Sequence, residues 1–347
     1  MNATTFDIAP ARVAPVHATH RFRMLLRREY WEHKGGFFWA PVIASIISLA
    51  MTIMGIVLAL MSVRKLQANG DFDIKGVKVN GLDFTGLLQR MDADDLREIG
   101  SGLDLFVMLS STWPLLVLAF TVFFYCLGTL YDDRKDRSVL FWKSMPISDT
   151  HTVLSKVTSA LVTAPAIALL VCAATVVATM LVLSVVVMVS GNNPMTVVWG
   201  PASPMRVMGY LLAGLPIYML WALPTVGWLL LCSAWARSKP FLWAVMLPLF
   251  AGIIVTWLSM FVSTAQQSEW FWKHVVGRLL LGTMPGIDMV YRGIGQPGNS
   301  LDAVMREFAS VDAMLATLAM PSLWIGAVVG IVMIAAAIRL RRWRDEG

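Results

Sequence analysis

Residues 131–149, YDDRKDRSVLFWKSMPISD, separate two long runs of sequence that carry no charge. The uncharged runs are residues 105–131 before this segment and residues 157–205 after it. Seven of the thirteen residues from Asp132 to Ser144 are Asp, Arg or Lys. Each flanking run is longer than the roughly 20 apolar residues that a helix needs to cross ~30 Å of hydrocarbon. The pattern predicts two membrane-spanning helices joined by a charged loop outside the membrane.

The composition of the whole chain supports a membrane protein. Its 347 residues are 57% hydrophobic and 14% charged, whereas a soluble domain carries about 25% charged residues. Asp, Glu, Lys and Arg are absent from six stretches, at 35–63, 105–131, 157–205, 207–236, 240–268 and 313–338. The longest stretch contains a Gly-Asn-Asn-Pro break at 191–194, so it counts as one crossing. The predicted fold is therefore all-α, with six transmembrane helices.

The predicted domain organisation follows these six stretches. The spans are expected at about 38–63, 105–131, 157–189, 207–235, 240–262 and 315–338, within a transmembrane domain at 37–338. Residues 1–36 are predicted to form a tail and an amphipathic helix, and residues 339–347 a basic tail. The regions 64–102 and 264–312 are predicted to be external. Within the second region, residues 275–284 are too short to span, and either lie flat on the membrane or re-enter it.

The distribution of basic residues predicts the orientation. Of the 28 Lys and Arg residues, 17 lie in short segments on the side that holds both termini. Cytoplasmic loops carry an excess of Lys and Arg, so both termini are expected to be cytoplasmic. The net charge of +6 reflects this bias, and we predict no nucleic-acid partner because the basic residues flank spans instead of forming a basic domain.

The segment before the first span has the pattern of an interface helix. Residues 20–35, HRFRMLLRREYWEHKG, place apolar residues at i, i+3 and i+4 and arginines on the other side. An amphipathic helix of this kind lies in the plane of the membrane surface. Two interpretations remain open at this point: the helix is a simple positive-inside anchor, or it helps to dock a partner.

The spans lack the residues that most membrane chemistry requires. They contain no Asp, Glu, Lys, Arg or His, which argues against an ion-driven transporter and against an intramembrane metalloenzyme. The chain has no GxxxxGK[ST] phosphate loop, so it is not expected to hydrolyse ATP itself. We predict no catalytic, cofactor-binding or metal-binding residue. Gly326 and Gly330 form a small-xxx-small pair that serves either packing within the chain or a dimer contact.

The charged loop and the N-terminal helix together resemble one family, the permease subunits of ABC-2-type transporters. That family combines six spans, an amphipathic helix with an RRE-W-like stretch, and a charged loop between spans 2 and 3. In the loop the matching residues are Tyr131, Asp132, Asp133, Arg134, Lys135, Asp136, Arg137, Leu140, Phe141, Trp142, Met145, Pro146, Ile147, Ser148 and Lys156. In the N-terminal helix they are Arg27, Arg28, Glu29, Tyr30 and Trp31. Many family members have Gly-Thr where this loop has Arg137 and Ser138, and a Glu where it has Leu140, so the chain is similar to a divergent branch.

The resemblance implies a function. It implies a permease subunit that exports a hydrophobic or amphipathic solute across the bacterial inner membrane. A second permease chain, identical or different, would complete the path. Two copies of a separate P-loop ATPase would bind ATP and Mg²⁺. The loop at 132–149 would sit as a coupling helix in a cleft of the ATPase, with the N-terminal helix beside it.

Protein interfaces usually have a buried apolar centre and a polar rim, which suggests how the loop would bind an ATPase. Leu140, Phe141 and Trp142 would provide the buried anchors, and the surrounding charges the polar rim. The competing interpretation of the charges is that they only hold the membrane topology. Two rival functions are a membrane anchor or assembly protein without a transport path, and an ATP-independent carrier or channel.

Overall fold

The computed structural model describes residues 18–68, 73–74, 77–78, 92–136, 148–262, 265–287 and 311–344. Nearly all of the described residues are helical. Two short strands, Asp73–Ile74 and Val77–Lys78, pair antiparallel with Asp73 opposite Lys78. Six helices among the described residues are long and apolar enough to cross a membrane, which confirms the predicted count and the all-α class. The chain is a multi-pass membrane protein.

The helices are numbered here in chain order. They are α1 (Ala18–Glu32), α2 (Ala40–Ala68), α3 (Ala93–Ser111), α4 (Trp113–Lys135), α5 (Asp149–Thr158), α6 (Ala164–Val189), α7 (Pro204–Trp235), α8 (Pro240–Val262), α9 (Ala265–Phe271), α10 (Arg278–Leu281), α11 (Val311–Leu318) and α12 (Pro321–Arg344). Short π-helical turns at Gly35–Trp39, Ser159–Thr163, Met195–Trp199 and Trp272–Gly277 precede α2, α6, α7 and α10. The spans are Gly35–Ser62, Ile99–Lys135, Asp149–Val189, Pro204–Trp235, Pro240–Phe261 and Pro321–Trp343, called spans 1 to 6 below.

Two spans differ in shape from the expectation. Span 2 is broken at Thr112, where the hydroxyl group donates to the Met108 carbonyl oxygen at 2.7 Å and α4 begins with Pro114 in its first turn. Span 6 begins at Pro321 and not at residue 315, because α11 ends at Leu318. Proline has no N–H and disfavours a helical residue before it, so it starts a helix readily but interrupts one that is already under way.

Span 4 lies at the centre of the bundle, whereas spans 1 and 5 are the most exposed. One buried apolar cluster joins spans 2, 3, 4 and 6 through residues such as Val122, Ala164, Leu229 and Ala337. A second cluster, around Met108 and Met180, joins spans 2 and 3 to the start of span 4. Helices in a bilayer associate by such close packing because hydrocarbon gives no hydrophobic drive between them.

Glycines bring spans 4 and 6 into close contact. A Cβ atom on Gly330 would lie 2.7 Å from the Leu223 carbonyl carbon, and one on Gly227 would lie 2.6 Å from the Gly330 carbonyl oxygen. A Cβ atom on Gly326 would lie 2.5 Å from Nη2 of Arg278. Both members of the small-xxx-small pair are therefore used for packing within the chain.

The segment after α9 packs against spans 4 and 6. The Arg278 guanidinium is buried, lies 3.8 Å from the centre of the Trp221 ring, and donates to the Ser322 carbonyl oxygen at 2.9 Å. The Thr225 hydroxyl group donates to the Arg278 carbonyl oxygen at 2.6 Å. Aromatic and carbonyl contacts replace the hydration of the guanidinium, so this arginine attaches the segment to the bundle.

Candidate functional site at the charged end of the bundle

Five charged side chains from four helices meet at one end of the bundle. Glu29 comes from α1, Asp133 from the last turn of α4, Asp149 and Lys156 from α5, and Arg341 from the last turns of α12. We call these five residues the charged cluster. It is assembled from residues far apart in the sequence, which only the packing of the helices brings together.

Lys156 is the centre of the cluster and is 1% exposed. Its Nζ atom lies 3.2 Å from Oε1 of Glu29 and 3.4 Å from Oδ2 of Asp133. The same nitrogen donates a hydrogen bond to the Thr129 hydroxyl group at 2.6 Å. The three donors of an ammonium group are thus all used, which a buried lysine requires.

The start of α5 is set by its own N-cap. The Ser148 hydroxyl group accepts from the His151 backbone N–H at 3.3 Å, which satisfies one of the free N–H groups of the first turn. The helix then buries Thr152, Val153 and Lys156 on one face. The cap therefore fixes where α5 begins, and packing against the bundle buries the face that carries the lysine.

Arg341 joins the two sides of the charged loop. Its Nη1 atom lies 3.4 Å from Oδ2 of Asp133, and its Nε atom lies 3.3 Å from Oδ1 of Asp149. Asp133 precedes residues 137–147 and Asp149 follows them. The arginine is 6% exposed, so one buried guanidinium connects both ends of that segment to the end of span 6.

Glu29 attaches α1 to the cluster. Its side chain is fully buried; Oε2 accepts from the Tyr125 hydroxyl group at 2.8 Å, and Oε1 accepts from Nη2 of Arg28 at 3.1 Å. The His33 ring packs edge-on against the Tyr125 ring, with centroids 4.6 Å apart. The inward face of α1 therefore carries a carboxylate as well as Leu25, and α1 packs along α5.

The charges of the cluster balance. The carboxylates of Glu29, Asp133 and Asp149 face Lys156, Arg341 and the neighbouring Arg28. Moving an ion out of water costs several kcal/mol, and the attraction between partners repays this cost only when the geometry and the remaining hydrogen bonds are good. Removing one member would therefore leave an uncompensated buried charge and destabilise the protein.

Arg134 makes a second link, to the turn between spans 4 and 5. Its Nη2 atom donates to the Ala236 carbonyl oxygen at 3.0 Å and to the Ser233 carbonyl oxygen at 2.5 Å. The Ser233 hydroxyl group accepts from the backbone N–H groups of Leu130 and Tyr131. A cation at the last carbonyl groups of a helix is favourable, because those groups have no partner within the helix.

The structure separates the predicted loop residues into two groups. Asp133 and Arg134 bind within the chain, whereas Asp132, Lys135 and Asp136 are exposed. Five of the predicted residues lie outside the described part of the chain: Arg137, Leu140, Phe141, Trp142 and Pro146. Their role in binding an ATPase stays a prediction.

The predicted residues of α1 divide in the same way. Arg27 and Trp31 are exposed, Arg28 is partly buried, and Glu29 faces the bundle. Sequence reasoning missed Arg341, Asp149 and Tyr125 as members of one site. The only sequence signal for Arg341 is its place after a long uncharged run, which is equally typical of a topology-determining charge.

We expect Tyr125→Phe to lower the free energy of unfolding by about 1–3 kcal/mol, because the buried Glu29 carboxylate loses a hydrogen bond from a neutral donor. The measurement is the unfolding midpoint of the purified protein in detergent. Tyr131→Phe is the matched control, since Tyr131 is on the same helix and only partly buried. Equal midpoints for the two variants would show that Glu29 does not depend on this hydroxyl group.

The described residues hold no metal-binding group and no disulfide bond. No group of three or more His, Cys, Asp or Glu side chains in the described ranges could hold a metal ion. Cys126, Cys172 and Cys232 are buried free thiols. No protein-family model, curated protein or solved structure matches this chain.

Proposed function

We propose that the chain is the permease subunit of an ATP-binding-cassette exporter that moves a hydrophobic or amphipathic solute. A separate P-loop ATPase, with its own ATP and Mg²⁺, would bind at the charged end of the bundle. The observation that carries this proposal is that Arg341 contacts a carboxylate on each side of residues 137–147. A force applied to that segment by a partner would therefore reach span 6 directly.

The charged cluster suggests how the force would spread. Lys156 joins Asp133 to Glu29, so a shift of the loop ends would also reach α1. Closure of an ATPase dimer on binding ATP is a two-state change, and it would bias the bundle between two arrangements. Because every member of the cluster is paired, and all but Asp149 are buried, α1, α4, α5 and α12 would move together at this end.

The exposed residues near the cluster suit a partner surface. Asp132, Lys135 and Asp136 are exposed at the end of α4, and Arg27 and Trp31 are exposed on α1. Together with the predicted anchors in 137–147, they would form an apolar centre with a charged rim. The charge pairs that the structure buries would instead transmit the movement and would not touch the ATPase.

The orientation and the partners complete the proposal. The charged end carries α1 and the last turns of α12, which are the first and the last of the described helices. By the bias of Lys and Arg this end would face the cytoplasm of a bacterial cell, across the inner membrane. A second permease chain, identical or different, and two ATPase copies would form the complete transporter.

We expect the double substitution Phe141→Ala and Trp142→Ala to abolish most of the ATPase association while leaving membrane insertion unchanged, because two aromatic anchors are lost. The measurement is recovery of a P-loop ATPase, and of its activity, with tagged chain purified from its native membrane in mild detergent. Trp343→Ala is the control, since Trp343 is exposed at the end of α12 but outside the loop.

Two results would contradict the proposal. One is a wild-type preparation without any ATPase, which would favour a membrane anchor or an ATP-independent carrier. The other is an ATPase that is retained equally by the double variant and by Trp343→Ala. Uptake or conductance by the purified chain alone would favour the carrier over the anchor.

A further inference from the structure

An apolar cavity of about 100 Å³ lies between spans 2, 3 and 4 and the turn that follows α10. It is partly open to its surroundings. Its walls include Leu115, Leu118, Leu169, Leu215, Trp221 and Pro285. On α4, which contributes to both sites, Leu115 and Leu118 lie several turns away from Asp133 of the charged cluster. The cavity is therefore a distinct feature of the bundle.

The backbone of the surrounding helices creates this space. Span 2 is broken at Thr112, α6 has Pro165 in its first turn, and α7 has Pro216 in its interior. A proline within a helix removes one hydrogen bond and bends the axis. Gly286 has φ +74°, a conformation that suits glycine, and it turns the chain at the cavity wall. Such breaks and prolines favour a gap between neighbouring helices, because a bent axis does not pack closely along its whole length.

The chemistry of the walls excludes an ionic ligand. No Asp, Glu, Lys, Arg or His lines the cavity within the described ranges. Two tyrosines, Tyr210 and Tyr218, bring the only side-chain hydroxyl groups among the lining residues. A polar solute would lose its hydration here without gaining enough hydrogen bonds. An apolar cavity of this order of size stays dry and accepts apolar guests.

The depth of the cavity narrows the choice of guest. Leu115, Leu169 and Leu215 lie far from either end of spans 2, 3 and 4. Residues in the middle of a span lie at the depth of the hydrocarbon, so a guest that enters from the bilayer at this depth is apolar. The volume suits a narrow guest, since an engineered apolar cavity of about 150 Å³ holds benzene.

We propose that the cavity binds a single hydrocarbon chain. The chain could be the acyl chain of a bilayer phospholipid or the tail of a free amphipath, and the two sources share the same chemistry at the site. The inference does not rest on the proposed coupling to an ATPase, because the isolated chain would bind the hydrocarbon without ATP. It adds a binding site and a ligand class to the proposed function.

The test uses the purified full chain in lipid nanodiscs, without ATPase. In one arm the nanodiscs contain a phospholipid with a diazirine on its acyl chain. In the other arm a diazirine-bearing fatty alcohol is added to nanodiscs of ordinary lipid. After illumination, labelled positions are mapped by mass spectrometry. We expect label on the lining residues of α4, α6 and α7 in at least one arm, and the arm identifies the source.

Substitutions at two neighbouring residues of α6 make the result specific. Leu169→Trp fills the cavity and is expected to lower the cavity label several-fold. Leu170→Trp is the matched control, because Leu170 is 71% exposed on the outside of the same helix. Leu215→Phe, on α7, is a second variant that fills the cavity with a smaller added volume. It is used if the first variant does not fold.

Two outcomes would overturn the inference. One is label confined to outward-facing residues in both arms. The other is an equal loss of cavity label in Leu169→Trp and Leu170→Trp, with none in Leu215→Phe. A loss specific to the filling variants supports it. None of these outcomes depends on whether the chain binds an ATPase, so failure here would leave the proposed coupling intact.

Discussion

Replacing Lys156 with Met is expected to lower the free energy of unfolding by about 3–5 kcal/mol, the usual cost of removing one partner from a buried ion pair. Methionine has nearly the shape of lysine, so packing is preserved and the effect is electrostatic. The loss leaves the Glu29 and Asp133 carboxylates facing each other without the ammonium group that lies within 3.4 Å of both. Because native stabilities are only about 5–15 kcal/mol, this is a large fraction of the total.

The measurement is equilibrium or thermal unfolding of the purified protein in detergent. The readout is the fraction of protein that remains homogeneous in size. Lys135→Met is the matched control, since Lys135 is exposed on α4 near the same end and its loss should change stability by less than about 0.5 kcal/mol. Adding Glu29→Gln to Lys156→Met should recover part of the lost stability by removing one stranded charge. A Lys156→Met protein as stable as the control would show that the cluster is not formed as described.

Replacing Gly330 with Leu is expected to destabilise the protein by about 3 kcal/mol or more, at the upper end of the range for overpacked cores. The first side-chain carbon alone would lie 2.7 Å from the Leu223 carbonyl group, and backbone cannot move aside as a flexible side chain can. Spans 4 and 6 would have to separate along their shared crossing. Because span 4 is the most buried span, the loss would extend through the apolar core.

Gly55→Leu is the control for this prediction. Gly55 lies in span 1, and a Cβ atom there would meet nothing within 4 Å. Leucine is a better helix former than glycine by nearly 1 kcal/mol, so this variant should be unchanged or slightly more stable. Similar unfolding midpoints for the two variants would argue that Gly330 does not pack within the chain, and would restore the dimer contact as its role.

Span 6 connects the two proposed sites. Arg341 at its end belongs to the charged cluster, and Gly330 crosses span 4. At its beginning, the Ser322 carbonyl group accepts from Arg278, whose guanidinium stacks on Trp221 at the cavity wall. Span 6 is therefore the element through which a displacement of the charged loop would reach the cavity. Contacts between the two sites produce coupling only if binding at each site shifts the equilibrium of the same two-state element.

Membrane topology could be predicted from the sequence because it depends mainly on one free energy, the cost of placing a charged side chain in the bilayer. A charged side chain at the centre of a bilayer is costly, so Asp, Glu, Lys and Arg collect outside the spans. The six uncharged stretches consequently correspond to six helices long enough to cross a membrane. The breaks at Thr112 and before Pro321 were not predicted, because neither interrupts an uncharged stretch, although Pro114 and Pro321 are sequence signals for the start of a helix.

The sequence by itself determined the number of spans, the positions of the charged loop and the helical class, since these depend on local composition. It did not reveal that Glu29 and Arg341 are buried, because each is indistinguishable in sequence from a topology-determining charge at a helix end. Only the tertiary structure brings the ends of α1, α4, α5 and α12 within 3.4 Å contacts of one another. Buried charges so close together are stable only if they neutralise each other, and that requirement depends on three-dimensional packing.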